Sequence, residues 1–448
     1  MGRPAFEAVT PEREISVRAA IERARRELAA LDLDVEERVL GDTELPVTIY
    51  TARDRAGKVV SRSLGKGPGA QSYASGLFEL IEHYYLDWRR RPYDRGEPAF
   101  LPVEELAAQP HLARANLVQR LRVGLRGQQL FSARYQPLDG GHPALNGGGP
   151  LWFPVFMRDP AYPHHMAPDD QSEFRSYRHF SSGIGTAAGV TTAEALLHAI
   201  CELVEHDAMS QALAEWYVGH CGDHAERPVR LRRVDPATLS PETAAIFERV
   251  RARVDGELWL LDITGTPGIP AYLAGTADPT RPVARTGRGA SLLPDYAAQR
   301  ALTELLQISL SQEQDPETAR KQGRTMVERL ARWPWMARAA RLDLTELAGR
   351  LPTVRTPLRA SPARAKDVPA LLSETLRRLA ERDIAVYFRH AKPPDPGGTE
   401  PSGEATGGAT GSGVVVVDVL APGLELLDIV RNGLPLPPTG RLAHLLNS

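Results

Sequence analysis

Residues 185–208 read GTAAGVTTAEALLHAICELVEHDA. A run of glycines and small residues opens into a segment with helical spacing, expected to be a helix from about Thr192 to Tyr217. Within it Glu194, His198, Glu202 and Glu205 recur at i, i+4, i+8 and i+11. At about 100° per residue they wrap into about 80° of arc. The rest of the helix is apolar: Ala195, Leu196, Leu197, Ala199, Ile200, Cys201, Leu203 and Val204. A solvated charged face would leave one apolar stripe; here one narrow acidic stripe interrupts a helix that is otherwise made for burial.

The same device occurs twice more. Upstream, SRSLGKGPGAQSY supplies a Gly-rich turn before a helix expected to start near Ala70, with Ser75, Glu79 and Glu82 on one face among Leu77, Phe78, Leu80 and Ile81. Downstream, RTGRGASLLP precedes a helix expected from about Asp295 to Gln312, whose Arg300, Glu304, Gln307 and Ser311 share a face among Leu302, Leu305, Leu306 and Ile308. The pentapeptide ELIEH at 79–83 returns as ELVEH at 202–206. Strands are expected at LPVTIYTARD, LWFPVFM, ELWLLDI and IPAYLAGT, and VVVVDVL at 414–420 needs cover on both faces. The fold class is α/β, of a mixed α+β kind, with strand, Gly-rich loop and acidic helix repeated along the chain.

Unpaired buried carboxylates cost several kcal/mol each, so clustered acids on apolar helices call for a compensating cation. A donor set of carboxylate and amide oxygens without cysteine suits Mg2+ rather than Zn2+. Because Mg2+ usually keeps one or two carboxylates and bridges to phosphate, a nucleoside triphosphate is its expected companion. Other acid-rich sites are excluded by spacing. A di-iron bundle needs Glu-x-x-His, whereas here Glu-x-x-Glu is followed by His83 or His206 about 100° away. Neither H-E-x-x-H nor H-x-x-E-H occurs, and no G-x-x-x-x-G-K-[ST] is present. The glycines around Lys66 can still present backbone N–H groups to phosphate at a helix start, with Lys66 as counter-charge.

The 448 residues carry 54 basic and 56 acidic side chains, so no global field points to nucleic acid or an anionic membrane. No stretch approaches about 18 apolar residues, and the N-terminus lacks an export signal. Cys201 and Cys221 match no metal or disulfide pattern, which suits a reducing cytosol; Cys201 falls on the apolar side of its helix. His164 and His165 lie in a Pro-rich loop and read as solvated side chains. Thr10 to Leu31 reads as an amphipathic helix packed on the domain surface, and 392–413, almost free of large apolar groups, as a mobile loop.

Five blocks together resemble the YcaO family: GKG at 65–67, S-x-x-x-E-x-x-E at Ser75 to Glu82, the stretch at 185–208, GRGASLLPDYAAQRALTELLQ at 287–307 and VLAPGLE at 419–425. The resemblance implies an N-terminal helical extension over 1–44 and a YcaO domain over 45–448. It implies ATP and Mg2+ as cofactors, with Glu79, Glu82, Glu202 and Glu205 holding magnesium. Lys66, Ser75, Glu194, Arg300 and Glu304 would bind nucleotide, and Gln307 completes an E-x-x-Q signature. No residue is assigned to proton transfer.

Such enzymes act on ribosomally made precursor peptides. A Cys, Ser or Thr side chain attacks the preceding amide carbonyl, whose oxygen then takes the γ-phosphoryl group of ATP, and loss of phosphate leaves a thiazoline or oxazoline. An external sulfur or amine nucleophile would give a thioamide or amidine. A third reading is a non-catalytic accessory protein for modification of a ribosomal protein. Without a leader-binding segment in view, a leader-peptide-binding, E1-like or TfuA-like partner is expected, and a homodimer is compatible. His83 and His206 stand where the family usually has Arg, Val190 where Asn is frequent, and PLPP at 435–438 is followed by further residues instead of ending the chain.

Overall fold

The computed structural model describes residues 7–113, 115–138, 149–218, 229–361, 367–395, 413–438 and 441–442. Most of the loop expected at 392–413, namely 396–412, lies outside the described residues, as does Cys221. Helix α1 spans Val17–Ala30 and is followed by an antiparallel sheet of β1 (Asp34–Leu40), β2 (Val47–Arg53) and β3 (Val59–Gly65). The helix expected over Thr10–Leu31 therefore starts only at Val17, where the Ser16 side chain accepts a hydrogen bond from the Ala19 N–H. Residues 10–15 are drawn out into an irregular arm because their charged side chains bond elsewhere in the fold. The first 44 residues also hold a strand, β1, as well as a helix.

Three long helices carry the acidic stripes. They are α2 (Gln71–Tyr84), α3 (Thr192–Leu213) and α4 (Pro294–Glu313). Each follows a strand: β3 leads into α2, Thr186–Gly189 into α3, and Thr286–Ala290 into α4. The last two strands were expected to be loops, since GTAAG and TGRGA are rich in glycine. They are strands because small side chains let helix backbone lie directly upon them. A Cβ on Gly287 would stand 2.2 Å from Ala301 O, and one on Gly65 only 1.9 Å from Ser72 O. At both positions glycine is required by close approach of the helix.

A second sheet orders Thr286–Ala290, Ala271–Ala277, Glu257–Asp262, Leu231–Val234 and Thr353–Thr356, its last pair parallel. The third sheet runs Ala99–Pro102, Gln129–Pro137, Tyr387–Lys392, Val415–Leu420 and Thr186–Gly189, with Leu151–Pro154 also paired to Gln129–Pro137. The strand expected through LWFPVFM stops at Pro154; Val155–Met157 turn into a short 3-10 helix and bury themselves beside Tyr162 and Phe174.

Val415–Leu420 is buried at every position. Val416 packs with Leu77, Leu80 and Ile81 of α2, whereas Val415, Val417 and Val419 pack with Ala195, Leu203 and Val204 of α3. The β-branched run thus joins two of the acidic helices from opposite faces.

One polar residue interrupts that strand. The Asp418 carboxylate, fully buried, accepts hydrogen bonds from Arg91 at 2.6 Å, Arg158 at 2.9 Å and Tyr135 at 2.7 Å. Burial pushes its pKa up, but Arg158 and Arg91 outweigh burial and hold it at about 2. The depressed value stabilises the fold above the ordinary value of 3.8, and this contribution is lost as pH falls toward about 2. Replacing Asp418 by Asn would leave two buried guanidinium groups short of charge, so we expect Asp418→Asn to lose roughly 3–5 kcal/mol in urea denaturation at neutral pH. The gap between variant and parent should narrow below pH 3.8.

Candidate functional site

The stripes of α2, α3 and α4 face one cavity of about 280 Å3. Lys66, Ser75, Glu79, Glu82, Glu194, Glu202, Glu205, Arg300, Glu304 and Gln307, the ten site residues expected from sequence, all line it. His83, His198 and His206 join them, while Ser311 does not, because the cavity wall on α4 ends at Ile308. His164 and His165 are also elsewhere. Thr10, Arg13, Ile15 and Arg288 line the cavity although sequence reasoning gave them no role. For Arg13 the only signal was a charge run that looked like a solvated helix face.

Secondary structure sets the reach of each group. The Thr191 side chain caps α3 by accepting from the Glu194 N–H at 3.1 Å, fixing where the stripe begins. Glu202 accepts from the Gly185 N–H at 2.9 Å, and Glu205 from the Ala290 N–H at 3.1 Å. Arg300 donates to Glu205 from Nε at 3.1 Å and from a terminal nitrogen at 2.8 Å, and also lies 3.1 Å from His198 Nδ1. Lys66 pairs with Glu304, and the Gln307 amide donates to Leu64 O at the end of β3. The Gly-rich turn is thereby fastened to α4 at two points.

Six carboxylates and four permanent cations face the cavity. Lys66 and Arg300 are already engaged by Glu304 and Glu205, and Arg288 is paired with Asp428 outside the acidic stripes. Burial raises the pKa of Glu79, and burial with the repulsion of Glu202 and Glu79 raises that of Glu82 well above the usual range. Glu202 is raised too, first by burial. Burial and the positive charge of Arg300 push His198 well below its ordinary value, so it stands as a neutral imidazole. Glu304 goes the other way: burial opposes ionisation, but Lys66 and Arg288 hold its carboxyl down.

The donors are oxygens and the excess charge is negative, which fits Mg2+. Among the described residues no three His, Cys, Asp or Glu side chains converge as a complete metal cage.

The profile of a family described as YcaO cyclodehydratase, ATP- and Mg2+-binding, matches residues 64–425. The chain belongs to the YcaO family. Family membership brings ATP and Mg2+ as its cofactors, in accord with the donor set of the cavity. A protein of Rhizobium leguminosarum bv. trifolii, described as uncharacterized and lying in the tfuA 3' region, is 35% identical over 140 residues, which are 29% of this chain and 31% of that one. The match thus spans about a third of the relative's length. Among solved structures, a heterocyclase in complex with substrate and cofactor aligns over 94% of this chain and 55% of its own, with 21% identity and a TM-score of 0.62. The YcaO of Methanopyrus kandleri, bound with AMPPCP and Mg2+, aligns over 95% and 96%, with 18% identity and a TM-score of 0.59. At these identities the two structures establish the shared fold.

His83 and His206, the histidines that follow the two acidic pairs, are both engaged. His83 Nδ1 lies 2.6 Å from Arg62 O, so that nitrogen is read as the protonated donor. His206 Nδ1 lies 2.7 Å from Asp428 Oδ2, and Arg288 bonds the same carboxylate while standing 3.3 Å from His206. A guanidinium thus stands beside His206, brought by the strand Thr286–Ala290.

The unbalanced acids should cost stability while the cavity holds no cation. We expect Glu82→Gln to raise the thermal midpoint in the presence of a chelator, by roughly 0.5–2 kcal/mol in stability. This is opposite in sign to the loss at Asp418. Differential scanning fluorimetry of the two variants side by side checks it.

Proposed function

We propose that this YcaO protein uses Mg·ATP to activate a backbone amide of a ribosomally made precursor peptide, and that cyclodehydration of Cys, Ser or Thr to an azoline is the reaction. The observation that supports this reading most is the convergence of three acidic helix faces on one cavity, with Glu79, Glu82 and Glu202 all pushed toward protonation by burial. Glu79, Glu82, Glu202 and Glu205 are proposed to hold magnesium. Lys66, Ser75, Glu194, Arg300, Glu304 and Gln307 are proposed to line the nucleotide.

When bound, Mg·ATP supplies the phosphoryl group that makes the amide oxygen a leaving group, and the metal neutralises charge on it. The chain's own part is positioning. Lys66, fastened by Glu304, offers a cation at a Gly-rich turn, and Arg300, donating twice to Glu205 Oε1, keeps α3 and α4 at a fixed separation. His198, kept neutral by burial and Arg300, accepts from the Arg300 guanidinium at Nδ1 and so carries its hydrogen on Nε2, which is able to donate a hydrogen bond.

Thioamide or amidine formation with a TfuA-like partner is the second reading, supported by the rhizobial relative from the tfuA 3' region. We further propose a reducing cytosol as its compartment: Cys201 is a buried free thiol, and no helix among the described residues is long and apolar enough to cross a membrane.

Calorimetric titration of ATP into the purified protein, with and without Mg2+, tests the site. We expect saturable binding that needs Mg2+ and weakens at least about tenfold, equivalent to 1.4 kcal/mol, in both Glu79→Gln and Glu202→Gln. Unchanged affinity in both variants would remove these acids from the site. With a candidate peptide, mass spectrometry showing loss of one water per modified residue supports cyclodehydration, whereas exchange of oxygen for sulfur supports the second reading.

A further inference from the structure

The arm before α1 precedes the family-matched residues 64–425, yet it forms a wall of the cavity through Thr10, Arg13 and Ile15. Three consecutive charged residues fasten it there. The buried Glu12 carboxylate accepts from Ser291 Oγ, just before α4, and the Glu14 carboxylate accepts from Thr191 Oγ, the cap of α3. The Glu14 N–H donates to Glu194 Oε2 at 3.1 Å. Glu12 is a non-glycine residue at φ 60, a conformation that persists only where surrounding contacts over-determine it. The two acids thus clamp the starts of α3 and α4 and aim the residue between them, Arg13, into the cavity.

Arg13 is the most loosely committed of the four cations. It has one contact to Glu194 Oε1 at 3.4 Å, whereas Arg300 donates two hydrogen bonds to Glu205 Oε1, Lys66 is paired with Glu304 and Arg288 with Asp428. Its partner Glu194 lies eight residues from Glu202, about 12 Å along α3 at 1.5 Å per residue. A guanidinium there is far from the end of the cavity where the magnesium-binding acids are proposed. It is also able to hydrogen-bond a sugar hydroxyl and to stack flat on a heterocyclic base.

We propose that Arg13 is a nucleotide-binding residue for the nucleoside end of Mg·ATP, supplied by the N-terminal arm and aimed by the Glu12 and Glu14 clamps. This rests on the nucleotide reading above. The test is titration of ATP and of ADP, each with Mg2+, into the unsubstituted full-length chain, Arg13→Ala and Arg13→Lys, with thermal midpoints measured alongside. Arg13→Ala should weaken ATP and ADP by the same factor, about tenfold, because the contact does not involve the γ-phosphate. Arg13→Lys keeps the charge opposite Glu194 and should keep the thermal midpoint, yet weaken both nucleotides by about threefold or more, since lysine lacks the planar fork. Parental affinity in Arg13→Lys would mean that the residue only holds the arm, and would overturn the inference. A loss confined to ATP would place Arg13 on the γ-phosphate and overturn it as well. If the unsubstituted chain bound neither nucleotide, the nucleotide reading itself would fall, and this inference with it.

Discussion

The constraint on which the site depends is electrostatic. Glu79, Glu82 and Glu202 stand at the edge of a cavity on helices whose remaining faces are packed into hydrophobic clusters, and their mutual repulsion adds to the cost of burial. The cations nearby are spent: Arg300 on Glu205, Lys66 on Glu304, Arg288 on Asp428. A protein has no stability reason to keep such a cluster. It is intelligible as a site that is completed, and relieved, by a bound divalent cation together with the phosphates that share its coordination shell.

Asp418 gives the contrasting case inside the same molecule. It is as deeply buried as any acid in the chain, but Arg91, Arg158 and Tyr135 satisfy it, and its pKa falls to about 2. It sits on Val415–Leu420, the strand that packs against α2 on one face and α3 on the other. One buried acid is therefore balanced and ties the scaffold together, while others a short distance away are left unbalanced. The scaffold's rigidity is what allows the unbalanced group to be held in place: glycines at the strand-to-helix seams, Gly65 and Gly287 among them, let helix backbone rest directly on strand backbone.

Much of this was legible in the sequence because helical spacing is a strong signal. The i, i+4, i+8, i+11 pattern from Glu194 to Glu205, its echo from Ser75 to Glu82 and the run from Arg300 to Gln307 all lie on the wall of one cavity, although Ser311 of the last run does not. What periodicity could not convey was contact between segments distant along the chain. GTAAG and TGRGA look like loops because glycine disfavours strands in isolation, and only the helices lying on them make them strands. The arm at residues 10–15 looks like the first turns of an amphipathic helix. Its acids instead find Ser291 and Thr191, whose positions nothing local encodes. Arg288 was missed for the same reason, since its strand and its partner Asp428 are joined only in the folded chain.

The central claim is that the unbalanced carboxylates are the groups that Mg·ATP satisfies. Because burial raises the pKa of Glu79, Glu82 and Glu202 above the ordinary 4.5, these carboxyls keep their protons to higher pH in the free protein than an ordinary glutamate does, and a bound cation must expel the protons that remain. Calorimetry of Mg·ATP binding in two buffers that differ in ionisation enthalpy, repeated with Glu82→Gln, measures this directly. The account predicts net proton release on binding, affinity that rises with pH above the ordinary glutamate value, and a smaller release in the variant. Binding with no proton release, or with release unchanged by Glu82→Gln, would contradict it.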